Sequence, residues 1–234
     1  MKILLIFAHP DDEAFSSAGT LIKLIKKGHQ AKLVTATRGE AGQVGNPPVT
    51  TQKNLGKIRE RELKNAAKVT GISEIYFLDL IDGTLHNLKV SDLVKMILPI
   101  IEKEEPDILI TFDKKGVSNH KDHIAISKAS TLAFEEYAKK TKKHLRLYHA
   151  TIPRSHIKAY RKQNLSHEPF GKMFGTADKD ITTISDISET LEQKIKALKQ
   201  HKSQHQDWER WLKRAQVVDL TKEYFVLIKE KNFF

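Results

Sequence analysis

The chain has 234 residues, 39% of them hydrophobic and 29% charged, and its 40 Lys plus Arg against 29 Asp plus Glu give a formal net charge of +11. That length suits one large domain with a sizeable core, while no apolar run reaches the roughly 18 residues of a membrane-spanning helix. The absence of cysteine excludes disulfides and thiolate metal sites.

The few residues between Lys2 and His9 are too short for a signal peptide, and a cysteine-free chain fits a cytoplasmic protein. The positive charge raises the prospect of nucleic acid or an anionic surface as partner. However, the lysines are spread along the chain, with short clusters such as Lys139, Lys140, Lys142 and Lys143, and no Arg-rich tract interleaves with aromatics. The excess therefore reads as solvated surface, with no nucleic acid and no membrane insertion expected.

In chain order, residues 2–8 (KILLIFA) are a continuous apolar run, the mark of a strand buried on both faces. Residues 17–27 have helical spacing and are stopped by Gly28. A second strand is expected at 31–37, a helix at 57–70 stopped by Gly71, a third strand at 74–80, and a helix at 91–105 with Ser91 as N-cap. A fourth strand follows at 106–113, an amphipathic helix at 120–140, and a fifth strand at 145–153. This alternation predicts an α/β, Rossmann-like three-layer fold, its sheet mostly parallel with helices on both faces. Residues 1–153 would form its core. Residues 154–180 read as irregular, 188–204 as one helix capped by Ser188, and 223–229 as a last strand, all packed on that core within a single domain, 1–234.

Ligands of open α/β sheets sit beyond the carboxyl ends of the strands, and polar clusters follow four of these strands. The first strand runs into His9, Pro10, Asp11, Asp12 and Glu13; the second into TRGEAG (37–42); the third into DLIDG (79–83). The fourth leads from Asp113 through a short loop to HKDH (120–123). Adjacent buried carboxylates need a compensating cation. His9 and Asp12 stand three apart after a strand, and His120 and His123 share a face at a helix start. Imidazole and carboxylate donors without thiolate suit one Zn²⁺, with Fe²⁺, Co²⁺ or Mn²⁺ as substitutes. Three protein ligands would leave a position for water, with Asp11 placed to accept its proton.

The paired motifs AHPDDE (8–13) and HKDH (120–123) resemble those of the LmbE-like, or PIG-L-like, zinc-dependent N-deacetylases. TRGEAG, IREREL, the DG at 82–83 and KALKQHKSQ (196–204) extend the likeness over most of the chain. The resemblance implies hydrolysis of the N-acetyl group of an N-acetylglucosamine-containing small molecule. Members act on acetylglucosaminyl-malate in bacillithiol synthesis, on inositol and phosphatidylinositol counterparts, or on chito-oligosaccharides, and some cleave thiol-conjugate amides instead. It further implies His9, Asp12 and His123 as zinc ligands, Asp11 as general base, His120 as a protonated partner of the oxyanion or leaving amine, and Asp122 as the acceptor that sets an imidazole tautomer. Glu13 would support the strand turn. Arg59 and Arg38 are candidates for holding an anionic aglycone such as malate, and Asp82 for accepting sugar hydroxyls. Asn119 stands where the second motif often has Gly. A homo-oligomer is also expected.

Overall fold

The computed structural model describes residues 1–231, so the last three residues of the expected 154–234 segment lie outside it. The opening apolar run forms β1 (Lys2–Phe7), buried throughout except at Lys2. It lies inside a seven-stranded sheet of order β3-β2-β1-β4-β5-β7-β6. β2 (Gln30–Thr37) and β4 (Ile108–Phe112) flank β1 in parallel, with β3 (Glu74–Leu80) outside β2 and β5 (Leu145–Thr151) outside β4. Phe7 and Phe112 meet edge to face at 4.7 Å in the centre of the core.

Parallel neighbours need crossovers, and right-handed crossovers place helices by the direction in which the sheet grows. From β1 outward to β3 they are α1 (Asp12–Ser16), α2 (Ala18–Lys26) and α3 (Leu55–Thr70). From β3 back to β4 and on to β5 they are α4 (Val90–Glu104), the short turn α5 (Gly116–Asn119) and α6 (Lys121–Lys140). The growth reverses between these sets, so α2 packs on α3 and α4 packs on α6 on opposite faces. Gly71 closes α3 in the left-handed region (φ 87°), its N–H donating to Ala67 O at 2.8 Å. Ser91 is not a cap: α4 starts at Val90 with the extended Lys89 before it, which leaves Ser91 inside the first turn.

The C-terminal part departs further from expectation. The stretch read as irregular contains α7 (Arg154–Lys162). The single helix expected at 188–204 is α8 (Leu191–Leu198) between two 3₁₀ turns, followed by α9 (His205–Lys213). The interruption is a tertiary effect: the main-chain N–H and hydroxyl of Ser203 both donate to Glu62 of α3, at 2.8 and 2.7 Å, in competition with the helix's own bonds. Ser188 likewise spends its N–H and hydroxyl on Asp186 Oδ1 instead of capping α8. β6 (Thr183–Asp186) was not expected, and it and β7 (Lys222–Lys231) are antiparallel additions to the β5 edge. No helix among the described residues is long and apolar enough to cross a membrane.

The core also carries a buried histidine. His149 of β5 lies 3.1 Å from Thr131 Oγ1, and burial pushes its pKa down to about 4. An unfolded histidine titrates near 6.5, so between those values the unfolded chain takes up the proton. This share of stability is full above about pH 6.5 and fades as pH falls toward 4, amounting to about 3 kcal/mol in that window. His149→Gln is expected to flatten the acid side of the stability profile, read as urea midpoints from pH 7 to 4. An unchanged slope would contradict a neutral buried His149.

Candidate active site

The sheet order reverses between β1 and β4, and the chain segments leaving these two strands meet there, where open α/β folds leave a crevice. Beyond Phe7 the chain passes through His9 and Pro10 to Asp11, which has φ 109°. That conformation is strained for a residue with a Cβ. It is held from two sides: the Asp11 N–H donates to Glu13 Oε2 at 3.2 Å, and Arg59 of α3 donates to Asp11 Oδ2 at 3.1 Å and to Pro10 O at 2.5 Å. Asp12 starts α1, and its Oδ2 accepts the main-chain N–H of His9 at 2.7 Å.

The second segment is shaped by Asp113, whose Oδ1 accepts from the N–H groups of Lys115 (2.8 Å) and Val117 (3.2 Å) while Oδ2 accepts from Thr151 (2.6 Å). The turn it holds has positive φ at Gly116, Val117 and Asn119. At Gly116 a Cβ would stand 2.6 Å from that of His123, so only glycine lets the loop approach α6 so closely. His120 then caps α6, its Nδ1 accepting the N–H of Asp122 at 3.1 Å. In the neutral ring the remaining nitrogen, Nε2, therefore carries the proton.

Three donor groups converge. His9 Nδ1 lies 3.0 Å from His123 Nε2, Asp12 Oδ1 3.3 Å from His123 Nε2, and Asp12 Oδ2 3.6 Å from His9 Nδ1. Donors on one tetrahedral ion with bonds of about 2.0–2.1 Å stand roughly 3.3 Å apart. The outer nitrogens both face acceptors: His123 Nδ1 lies 3.0 Å from Gly116 O, and His9 Nε2 lies 2.9 Å from Asp82 Oδ1, off the line of a good hydrogen bond. Protons on those outer nitrogens leave two lone pairs facing each other, an arrangement that a cation stabilises. His9, His120 and His123 form a second grouping of potential metal donors, and His9, Asp82 and Asp122 a third.

The field of the site favours positive charge. Burial by itself would lower the pKa of His9, but Asp12, Asp122 and Asp82 raise it well above the usual imidazole value. Burial would raise Asp12 and Asp122; the imidazoles instead hold both well below the usual carboxylate range, with His123 and His9 acting on Asp12, and His9 and His86 on Asp122. Asp82 is lowered too, chiefly by His9. Burial takes His123 down to about 4, and burial with the nearby His9 lowers His120. Asp11 is different. Burial, reinforced by Asp12, pushes it up to about 7 against the pull of Arg59.

The remaining expected residues divide. Asp82 reaches the site, bonded to Ala41 N–H at 3.0 Å and facing His9. Glu13 is buried under Asp11, with His201 Nε2 3.5 Å from its Oε1, which gives the HKSQ stretch a place beneath the site. Gln204 donates to Gln43 O at 2.7 Å and so ties that stretch to the loop after β2. The two arginines, expected to hold an anionic aglycone, make contacts within the protein. Arg59 is buried, its guanidinium on Asp11, Pro10 O and Gly39 O, because the crowded carboxylates of the strand turn need a cation from behind. Arg38 pairs with Glu60 at 2.8 Å and with Asp79. His86, at the rim with its Nδ1 3.2 Å from Asp122 Oδ1, was not singled out from sequence. A lone histidine after a DG turn has no periodicity to mark it.

The PIG-L family model, GlcNAc-PI de-N-acetylase, matches residues 4–134. The probable N-acetyl-alpha-D-glucosaminyl L-malate deacetylase 2 of Bacillus anthracis is 35% identical over 128 residues, 54% of this chain and 56% of that protein. The 1D-myo-inositol 2-acetamido-2-deoxy-alpha-D-glucopyranoside deacetylase of Actinosynnema mirum is 28% identical over 236 residues, 89% of this chain and 82% of that one. Among solved structures, the N,N'-diacetylchitobiose deacetylase of Pyrococcus horikoshii shares the fold at TM-score 0.70 and 22% identity, covering 98% of this chain and 83% of that one.

Proposed function

The chain belongs to the PIG-L family, and from that premise we propose that it is a metal-dependent hydrolase removing the N-acetyl group from an N-acetylglucosamine-containing small molecule. The observation that carries the proposal is the triangle of His9, Asp12 and His123 donors beside the buried Asp11. Those three residues would hold one divalent ion, with Zn²⁺ the best match to imidazole and carboxylate donors. When bound, such an ion polarises an amide carbonyl and makes a water acidic enough to attack near neutral pH.

The chain's own groups do the rest. Arg59 holds Asp11 Oδ2, which leaves Oδ1 to accept the proton of the attacking water. A carboxyl poised near neutrality suits that role and can return the proton to the departing amine nitrogen. His120 donates from Nε2 to the carbonyl oxygen as charge develops there, its ring fixed by the bond from the Asp122 N–H. Asp82, 2.9 Å from His9 Nε2, orients His9. Recognition of an anionic aglycone such as malate would fall to groups other than Arg59, whose guanidinium is turned onto Asp11.

The test is release of primary amine from N-acetylglucosaminyl-malate, its inositol counterpart and diacetylchitobiose, with and without prior chelation. Metal-loaded protein is expected to release amine from at least one of them and chelated protein from none. No release above the chelated control on any substrate would overturn the proposal.

A further inference from the structure

Asp122 raises a problem that the proposed chemistry leaves open. Its carboxylate is fully buried, yet its nearest donors are few: the Gly83 N–H reaches Oδ2 at 2.7 Å, and His86 Nδ1 stands 3.2 Å from Oδ1. On the same side, His9 Nε2 has two carboxylates before it, Asp82 Oδ1 at 2.9 Å and Asp122 Oδ2 at 3.6 Å. One N–H cannot serve both. Whichever carboxylate is better satisfied elsewhere releases the His9 proton to the other.

We propose that His86 is a positioning residue for the metal centre: by donating from Nδ1 to Asp122 it anchors that carboxylate away from His9, so the His9 Nε2 proton goes to Asp82 and the Nδ1 lone pair faces Asp12 and His123. The inference rests on the reading of His9, Asp12 and His123 as ligands. The placement fits the role. Gly83, with φ 82°, turns the chain after Asp82, so that one short turn presents Asp82, the Gly83 N–H and His86 together. The 3₁₀ turn Leu85–Asn87 fixes His86 over the start of α6, with Leu85 buried beneath it. His86 itself is partly exposed, so it reaches Asp122 from the solvent side without filling core volume. Removal of its ring takes the side-chain donor from Asp122 Oδ1. The cheapest repair is rotation of Asp122 toward His9 Nε2, which moves the imidazole that the ion needs. Groups that hold a ligating histidine in this way typically influence metal affinity by about 10–100-fold.

Two substitutions separate this from mere packing. His86→Ala removes the donor. His86→Asn keeps one, since the amide nitrogen of asparagine occupies nearly the position of Nδ1 and has no charge. Affinity of the chelated full-length protein for Zn²⁺ is measured by competition with a chromophoric chelator, and Co²⁺ absorption reports the geometry around the ion. Wild type is expected to bind one ion, His86→Ala to bind it about 10-fold or more weakly with an altered Co²⁺ spectrum, and His86→Asn to recover most of the affinity. The metal-free melting temperature of all three should agree. Wild-type affinity in His86→Ala, failure of His86→Asn to recover, or a loss that tracks a lower metal-free melting temperature would each overturn the role of His86 while leaving the ligand assignment intact. A wild type that binds no ion would overturn the ligand assignment, and this inference with it.

Discussion

Asp11→Asn is expected to lower turnover by about 10²–10⁴-fold, the usual contribution of a positioned base, with the metal content unchanged. The substitution keeps the shape of the side chain and an oxygen for Arg59 Nη2, so the clamp on the left-handed Asp11 backbone persists. What it removes is basicity at Oδ1. The effect should fall on kcat, because proton transfer is made only on the way to the transition state. Steady-state kinetics on whichever N-acetylglucosaminide proves to be turned over, together with metal analysis of the same preparation, decides it. Near wild-type turnover would make Asp11 a structural carboxylate. Loss of metal along with activity would make it a ligand.

Lys194→Met is expected to cost about 3–5 kcal/mol, the range for breaking a buried ion pair from one side. Lys194 and Glu223 are both almost wholly buried, and Lys194 Nζ lies 2.6 Å from Glu223 Oε1 and 2.8 Å from Phe15 O. Glu223 also accepts the N–H groups of Gly19 and Thr20 in the first turn of α2, at 2.9 and 2.8 Å. Methionine fills the volume of the lysine stem but leaves that carboxylate facing only peptide dipoles. Against a total stability of about 5–15 kcal/mol, the loss is large. Lys194→Met combined with Glu223→Gln should recover much of it, because the buried charge is then gone as well. Urea unfolding of the three proteins checks both statements. A single variant within about 0.5 kcal/mol of wild type, the scale of an ordinary surface substitution, would show that water or another cation replaces the lysine at no cost.

The central strands were legible because they are local patterns. The run LLIF in β1 and ILITF in β4 need no distant partner to be recognised as doubly buried strands. The strand–helix alternation then makes the first five strands parallel, and the polar clusters at their ends mark one rim of the sheet. His9, Asp11 and Asp12 on one side and His120, Asp122 and His123 on the other were legible for the same reason: each set is compressed into a few residues at the end of a regular element.

What the tertiary structure decided lies between elements distant in sequence. Arg59 looked like a group reaching for a substrate anion, yet the buried Asp11 claims it, 48 residues away along the chain. His86 is brought to Asp122 across 36 residues, and Glu62 to Ser203 across 141, the second contact breaking a helix that periodicity alone would have continued. The pairing of Lys194 with Glu223 places two charges where composition would put them in solvent. Helical and strand periods report only which face of an element is apolar. They carry no information on which buried charge will neutralise which, because that choice is made by desolvation, and desolvation depends on what else closes over the same space.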